Sequence, residues 1–140
     1  MKKKHIVVAA VFTGVILAIS IWTVVPKKMS SVLHVSRNNA QKCSVIQNGS
    51  SGASVSMSHE QLINFVDLIE RTTIKYSGID PSVMRPIDSE EYLVRLKTTG
   101  DIHSFSITSD GYLFFKDVKF RISETTTNSI IGYLENIVDK

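Results

Sequence analysis

Residues 92–123 read YLVRLKTTGDIHSFSITSDGYLFFKDVKFRIS. The stretch alternates apolar and polar positions with period two, the mark of half-buried strands. Tyr92, Val94 and Leu96 oppose Leu93, Arg95 and Lys97; His103, Phe105 and Ile107 oppose Ser104, Ser106 and Thr108. Thr98-Thr99-Gly100-Asp101 and Asp110-Gly111 separate the runs, and Asp-Gly tolerates the positive φ angles of a tight hairpin. Leu113 and Phe115 then oppose Tyr112 and Phe114. After a turn near Asp117, Val118, Phe120 and Ile122 oppose Lys119, Arg121 and Ser123. Four consecutive antiparallel strands follow from this pattern.

Working outward, each end of this block meets a helical signal. Ser58 with Gln61 three residues later forms a capping-box pattern, and Met57 with Leu62 a hydrophobic staple. Leu62, Phe65, Val66 and Ile69 recur at helical spacing, and the helix is expected to end near Thr73. Ile130, Tyr133, Leu134, Ile137 and Val138 form a second apolar stripe, capped by Ser123 or one of Thr125–Thr127. Upstream, Val32–Ser36 reads as a first strand or extended lead-in, and Arg37–Ala40 as a turn. Lys42–Gln47 and Ala53–Met57 read as a strand pair around an Asn48–Gly52 turn. Gly78–Ser89, with Pro81 and Pro86, reads as a loop. The expected fold class is α+β in the order ββ(β)-α-ββββ-α, an antiparallel sheet with two helices on one face.

The N-terminus carries a different message. Ile6–Val25 is 20 residues without a charge, preceded by Lys2, Lys3 and Lys4 and followed by Pro26-Lys27-Lys28. A helix of that length spans about 30 Å, the thickness of a bilayer's hydrocarbon core. Trp22 suits the headgroup region, and Pro26 is a natural stop. The three leading lysines favour a cytoplasmic N-terminus and a C-terminal domain outside the membrane. A cleaved secretory signal competes, since Ala18-Ile19-Ser20 resembles a cleavage site; the length of the apolar run favours the uncleaved anchor. The expected organisation is therefore 1–28 anchor, 29–31 connector and 32–140 extracytoplasmic domain, with secretion after cleavage as the alternative.

Charge and chemistry narrow the function. Five of the 16 Lys/Arg lie in the first 28 residues, which hold no acid; the remaining 11 stand against all 13 Asp/Glu, a balance of −2. The net +3 thus belongs to the anchor flanks, which argues against nucleic acid as a partner. The single cysteine, Cys43, cannot form an intramolecular disulfide and reads as a small strand residue. No phosphate loop, HExxH, CxxC or GxSxG motif occurs. His34, His59 and His103 lie far apart, with no second ligand at metal spacing, and His103 falls on the apolar face of its strand. Glu90 and Glu91, adjacent on a strand, point apart rather than converge. Asp80, Asp88 and Asp110 read as turn aspartates. Asn48-Gly49-Ser50 matches a glycosylation sequon but also forms the turn. Tyr112, Phe114, Phe115 and Phe120 read as sheet core rather than a ligand groove. No catalytic, cofactor or metal residue is assigned.

Val45–Gly52, Val55-Ser56-Met57-Ser58, the helix with Leu62, Val66 and Ile69, and the Tyr92-x-Val94-x-Leu96…Gly100…Ile102…Ser104-x-Ser106-Ile107 stretch together resemble a family of small Gram-positive cell-envelope domains of unknown function. The resemblance covers roughly Val35–Val138. It implies an envelope address behind a membrane anchor or lipoprotein signal and supplies no catalytic residue; the lipoprotein cysteine of some members is absent here. The leading expectation is a non-enzymatic module that binds an envelope protein or peptide. An inhibitor or immunity-type protein, an envelope enzyme with an unrecognised site and a ligand sensor are the competing expectations.

Overall fold

A computed structural model describes residues 2–48, 53–79 and 90–140 of the chain. Its elements are α1 (Lys2–Val24), β1 (Lys27–Lys28), α2 (Met29–Leu33), β2 (Ala40–Asn48), β3 (Val55–Ser56), α3 (His59–Arg71), β4 (Thr73–Ile79), β5 (Glu91–Thr98), β6 (Ile102–Thr108), β7 (Tyr112–Phe115), β8 (Val118–Ile122) and α4 (Glu124–Val138). The fold is α+β. The strands form one eight-stranded sheet in the order β1-β4-β8-β7-β6-β5-β2-β3, antiparallel throughout. The β5–β8 meander expected from the alternation occupies its middle, and the N-terminal strands are added at both edges.

The turns between these strands follow from local chemistry. Gly111 sits at φ +95°, and a Cβ there would come within 3.3 Å of both the Ile122 carbonyl oxygen and Thr127 Oγ1. The β7–β8 hairpin turns on Lys116 and Asp117, both with positive φ (49° and 61°), between the paired Phe115 and Val118. Such a two-residue turn matches the strand twist, although neither residue has the glycine that favours it.

One face of the sheet is covered. Cys43, Val45, Ile74, Tyr92, Val94, Leu96, Phe105, Ile107, Leu113, Phe120 and Ile122 are buried there. They pack in one cluster with Leu62, Phe65, Val66 and Ile69 of α3 and Ile130 and Leu134 of α4. The α3 capping box forms as expected: Ser58 Oγ accepts from the Gln61 amide at 3.2 Å, and Gln61 Oε1 accepts from the Ser58 amide at 2.8 Å. Met57 packs on the core beside it. Ser123 caps α4. The two helices are tied by the Tyr133 hydroxyl, which donates to the Gln61 carbonyl at 2.8 Å, and by the parallel Phe65 and Tyr133 rings, 6.2 Å apart.

Three expectations are corrected. The segment 29–31, expected as a connector, is part of α2, and Met29 and Leu33 are fully buried. Val32–Ser36 is not a strand: the chain leaves α2 through His34 at φ 54°, and the Asn39 side chain closes the following turn on the His34 carbonyl and the Ser36 amide. A helical turn advances about 1.5 Å per residue against about 3.3 Å for a strand, so it keeps Met29, Leu33 and Val35 together in the core. The third correction concerns Thr73–Ile79, which forms strand β4 where no strand was expected and takes in Gly78 and Ile79 of the expected loop. Thr72 already has extended backbone, and the β-branched Thr73 and Ile74 begin pairing with β1, while Ile74–Ile79 pairs with β8. The Asn48–Gly52 turn and its sequon fall partly outside the described residues, as do 80–89 of the Gly78–Ser89 loop with Pro81, Pro86, Asp80 and Asp88.

Helix α1 is long and apolar enough to cross a membrane or to serve as a signal sequence, and none of its residues is buried. It runs almost directly into the sheet, because β1 begins at Lys27. The Trp22 ring lies 5.4 Å from Tyr76 of β4 and carries Lys27 Nζ 4.1 Å from its centroid.

Candidate functional site: the uncovered face of the sheet

The second face of the sheet is not covered by any described element, and the strand registers fix what it displays. Across β2, β5 and β6 one row holds Lys42, Lys97 and Ile102, and the next holds Ser44, Arg95 and Ser104. A third row continues Ile46, Leu93, Ser106, Phe114 and Lys119 through β7 into β8. Tyr112, Arg121 and Lys75 lie beyond it on β7, β8 and β4. Leu93 is 41% exposed and Ile102 48% exposed, unlike the buried neighbours of Leu93 in β5, Tyr92 and Val94.

Charge is segregated between the two sides of the domain. The uncovered face carries Lys42, Lys75, Arg95, Lys97, Lys119 and Arg121. The helical side carries Glu60, Asp67 and Glu70 with one cation, Arg71, on α3, and Glu124 and Glu135 with no cation on α4. Among the described residues, the one acid on the uncovered face is Glu91 at the start of β5, which accepts from Asn48 Nδ2 at 3.0 Å. Asp101, Asp110 and Asp117 sit in hairpin turns. The ion pair found among the described residues joins Arg37 and Asp67 on the helical side. Hydrogen bonding to Arg37 holds the Asp67 carboxyl below its usual range, and the same contact raises the guanidinium.

Two basic corners differ in how their cations are used. Lys119 Nζ lies 4.1 Å from the Tyr112 centroid and 5.8 Å from that of Phe114. Arg121 lies 5.4 Å from the Tyr112 centroid and donates to its hydroxyl at 2.8 Å. These cations rest on aromatic rings. At the other corner Lys42, Arg95 and Lys97 line a groove of about 400 Å³ with Cys43, Ser44, Ser56, Met57 and Ile102. Among the described residues no carboxylate lines it. Three cations and two hydroxyls form a donor set suited to carboxylate or phosphate oxygens, and Arg95 supplies a fork geometry.

The residues weighed for chemistry do not converge. His34 follows α2, His59 opens α3, and His103 is buried on β6 with Nε2 3.5 Å from Thr98 Oγ1 and its ring 6.3 Å from that of Phe115. Glu90 lies just before β5 and Glu91 opens it. No group of three or more His, Cys, Asp or Glu side chains comes together among the described residues. Cys43 faces the core, where burial pushes its thiol up to about 12. Of the four aromatics expected in the core, Phe115 and Phe120 are there, whereas Tyr112 and Phe114 stand half-buried on the uncovered face. In comparison with known proteins, the chain matches no family model, no curated protein and no solved structure.

The overall balance of −2 gave no hint of the basic face, because it averages two sides of opposite sign. The signal lay in the alternation itself: Arg95, Lys97, Lys119 and Arg121 all fall on the polar positions of their strands.

Proposed function

We propose that the protein is a single-pass membrane protein of the cell envelope whose N-terminus is cytoplasmic and whose α+β domain lies outside. It works by binding rather than catalysis, and a protein or peptide partner docks on the uncovered face of the sheet. The observation that carries this reading is that face itself: a cationic surface with exposed Leu93 and Ile102, on a sheet whose other side is fully packed. An anchored role is supported by α1, which shows apolar side chains such as Phe12 (67% exposed) along its length and needs lipid around it. The resemblance to small envelope domains points to the same address.

Two measurements test the proposal. Intact mass of the protein isolated from membranes should give an N-terminus upstream of Ala18; a mature chain beginning after Ser20 refutes the anchor. Photo-crosslinkers placed at Leu93 and at Glu70 in intact cells should trap a defined partner. Capture from neither position, together with turnover of a wall or peptide substrate by the purified protein, refutes a binding role.

A further inference from the structure

We infer that the segment docking on this face is an acidic peptide stretch with interspersed apolar side chains, seated with its carboxylates on Lys42, Arg95 and Lys97 and its apolar groups on Ile46, Leu93 and Ile102. The inference rests on the binding role proposed above and specifies the partner's chemistry.

The first argument is electrostatic. Lys42 stands directly opposite Lys97, and Lys75 directly opposite Arg121, on the same face of one sheet. Like charges in direct cross-strand register repel. Arg95 adds a third cation one pleat from Lys97, and among the described residues no carboxylate lines their groove. The folded domain therefore carries a concentration of positive charge that an anionic ligand relieves. The Ser44 and Ser56 hydroxyls beside it supply further donors.

The second argument separates a peptide from ligands that need charge alone. The row next to Arg95 is apolar, with Ile46 and Leu93 paired across β2 and β5, and Ile102 sits beside Lys97. A segment that alternates acidic and apolar residues presents both kinds of group at strand-like spacing. A polyanion without apolar groups leaves Leu93 and Ile102 in water. Single-stranded nucleic acid would need open aromatic faces for base stacking. Here the Tyr112 ring is already occupied by Lys119 and Arg121, and Lys119 also approaches the Phe114 ring.

The test uses the full chain in nanodiscs of neutral lipid, titrated with a fluorescent peptide in which glutamate alternates with leucine. Saturable binding is expected, weakening with added salt. The Arg95→Glu/Lys97→Glu double variant should lower affinity about tenfold or more, and Leu93→Ser about fivefold. Both changes lie at exposed positions; far-UV circular dichroism checks the fold, and Lys97→Gln is a milder substitute if the double variant misfolds. Absence of binding overturns the inference. So does a glutamate–serine peptide that binds as tightly and ignores Leu93→Ser, because charge alone would then suffice. Tighter, Arg95-dependent binding of a single-stranded oligonucleotide, or of vesicles rich in anionic lipid, also overturns it and assigns the face to that class. The cellular crosslinkers separate this inference from the binding role. A trapped peptide that is acidic and comes from Leu93 supports both, whereas a partner trapped from Glu70 alone keeps the binding role and sinks this one.

Discussion

Leu93 and Val94 are consecutive residues of one strand, yet they belong to the two sides of the sheet that differ most. Val94 is fully buried beneath the helices, while Leu93 is 41% exposed between Ile46 and Ser106. On the helical side, composition follows from packing: apolar side chains fill one cluster and the acids sit on the outer surfaces of α3 and α4. On the uncovered side, Ser106 and Thr108 are buried but the cations lie at exposed or half-buried positions, so their concentration there needs another cause than packing. Folding accounts for one face; on the proposed function, the other carries the encounter with a partner.

The sharpest way to break the comparison is to put the same charge on both sides. Val94→Lys buries an unpaired ammonium under α3 and α4. We expect a loss of more than about 3 kcal/mol, enough to unfold a small domain or nearly so. Leu93→Lys, one residue away, should change stability by no more than about 0.5 kcal/mol. Urea unfolding of the two variants, followed by far-UV circular dichroism, measures both. Similar losses for the two would mean that the second face is covered after all.

Removing an aromatic ring from each side gives the next largest contrast. Phe65→Ala empties a fully buried site against the Tyr133 ring and should cost about 3–5 kcal/mol. Phe114→Ala removes a half-buried ring of the uncovered face and should cost roughly 1 kcal/mol, since much of that ring is already in water. The same unfolding experiment ranks them.

Alkaline pH probes the covered side through its buried thiol and phenols. Burial raises the Cys43 thiol from 9.0 to about 12. Burial, reinforced by Glu135, Glu90 and Asp139, raises the Tyr92 phenol from 10.0 to about 12. Each group keeps its proton in the folded state at pH values where the unfolded chain has lost it. The unfolded state then binds fewer protons, so stability falls as pH rises. The contribution is intact below pH 9, and the decline runs from about 9 to about 12. Melting temperature measured across that window should drop steadily, and Cys43→Val should delay the onset toward 10, where the raised phenols of Tyr92 and Tyr133 remain. A thiol reagent at pH 8 should leave folded Cys43 unmodified.

Much of this architecture was legible in the residues. Alternation located β5 to β8, and Ser58 with Gln61 located the start of α3, because these signals are local and each is repeated by its neighbours. The misreadings fall where tertiary context decides. Thr73–Ile79 is a strand because β8 and β1 offer it partners, and Met29–Leu33 is helical because the core beneath α3 takes both end residues. Neither fact is written in a local period. The basic face was present in the sequence at alternate positions, but it required the register to show that Lys42, Arg95 and Lys97, from two strands far apart in the chain, line one groove.

The finest test of the two-sided design reverses a single charge. Lys97 stands opposite Lys42, so Lys97→Glu converts a repulsive cross-strand pair into an attractive one. We expect the variant to be more stable than the parent by about 0.2–1 kcal/mol, read as a higher urea midpoint at low salt. The gain should shrink at high salt, as exposed charges are screened. The same substitution removes one of the groove's three cations and should weaken the glutamate–leucine peptide. Stability and binding would then move in opposite directions at one exposed residue. That is the behaviour expected where a surface is maintained for a partner at a small cost to the fold. If Lys97→Glu instead lowers stability and leaves peptide binding intact, the cations of this face serve the domain itself, and the distinction between its two sides disappears.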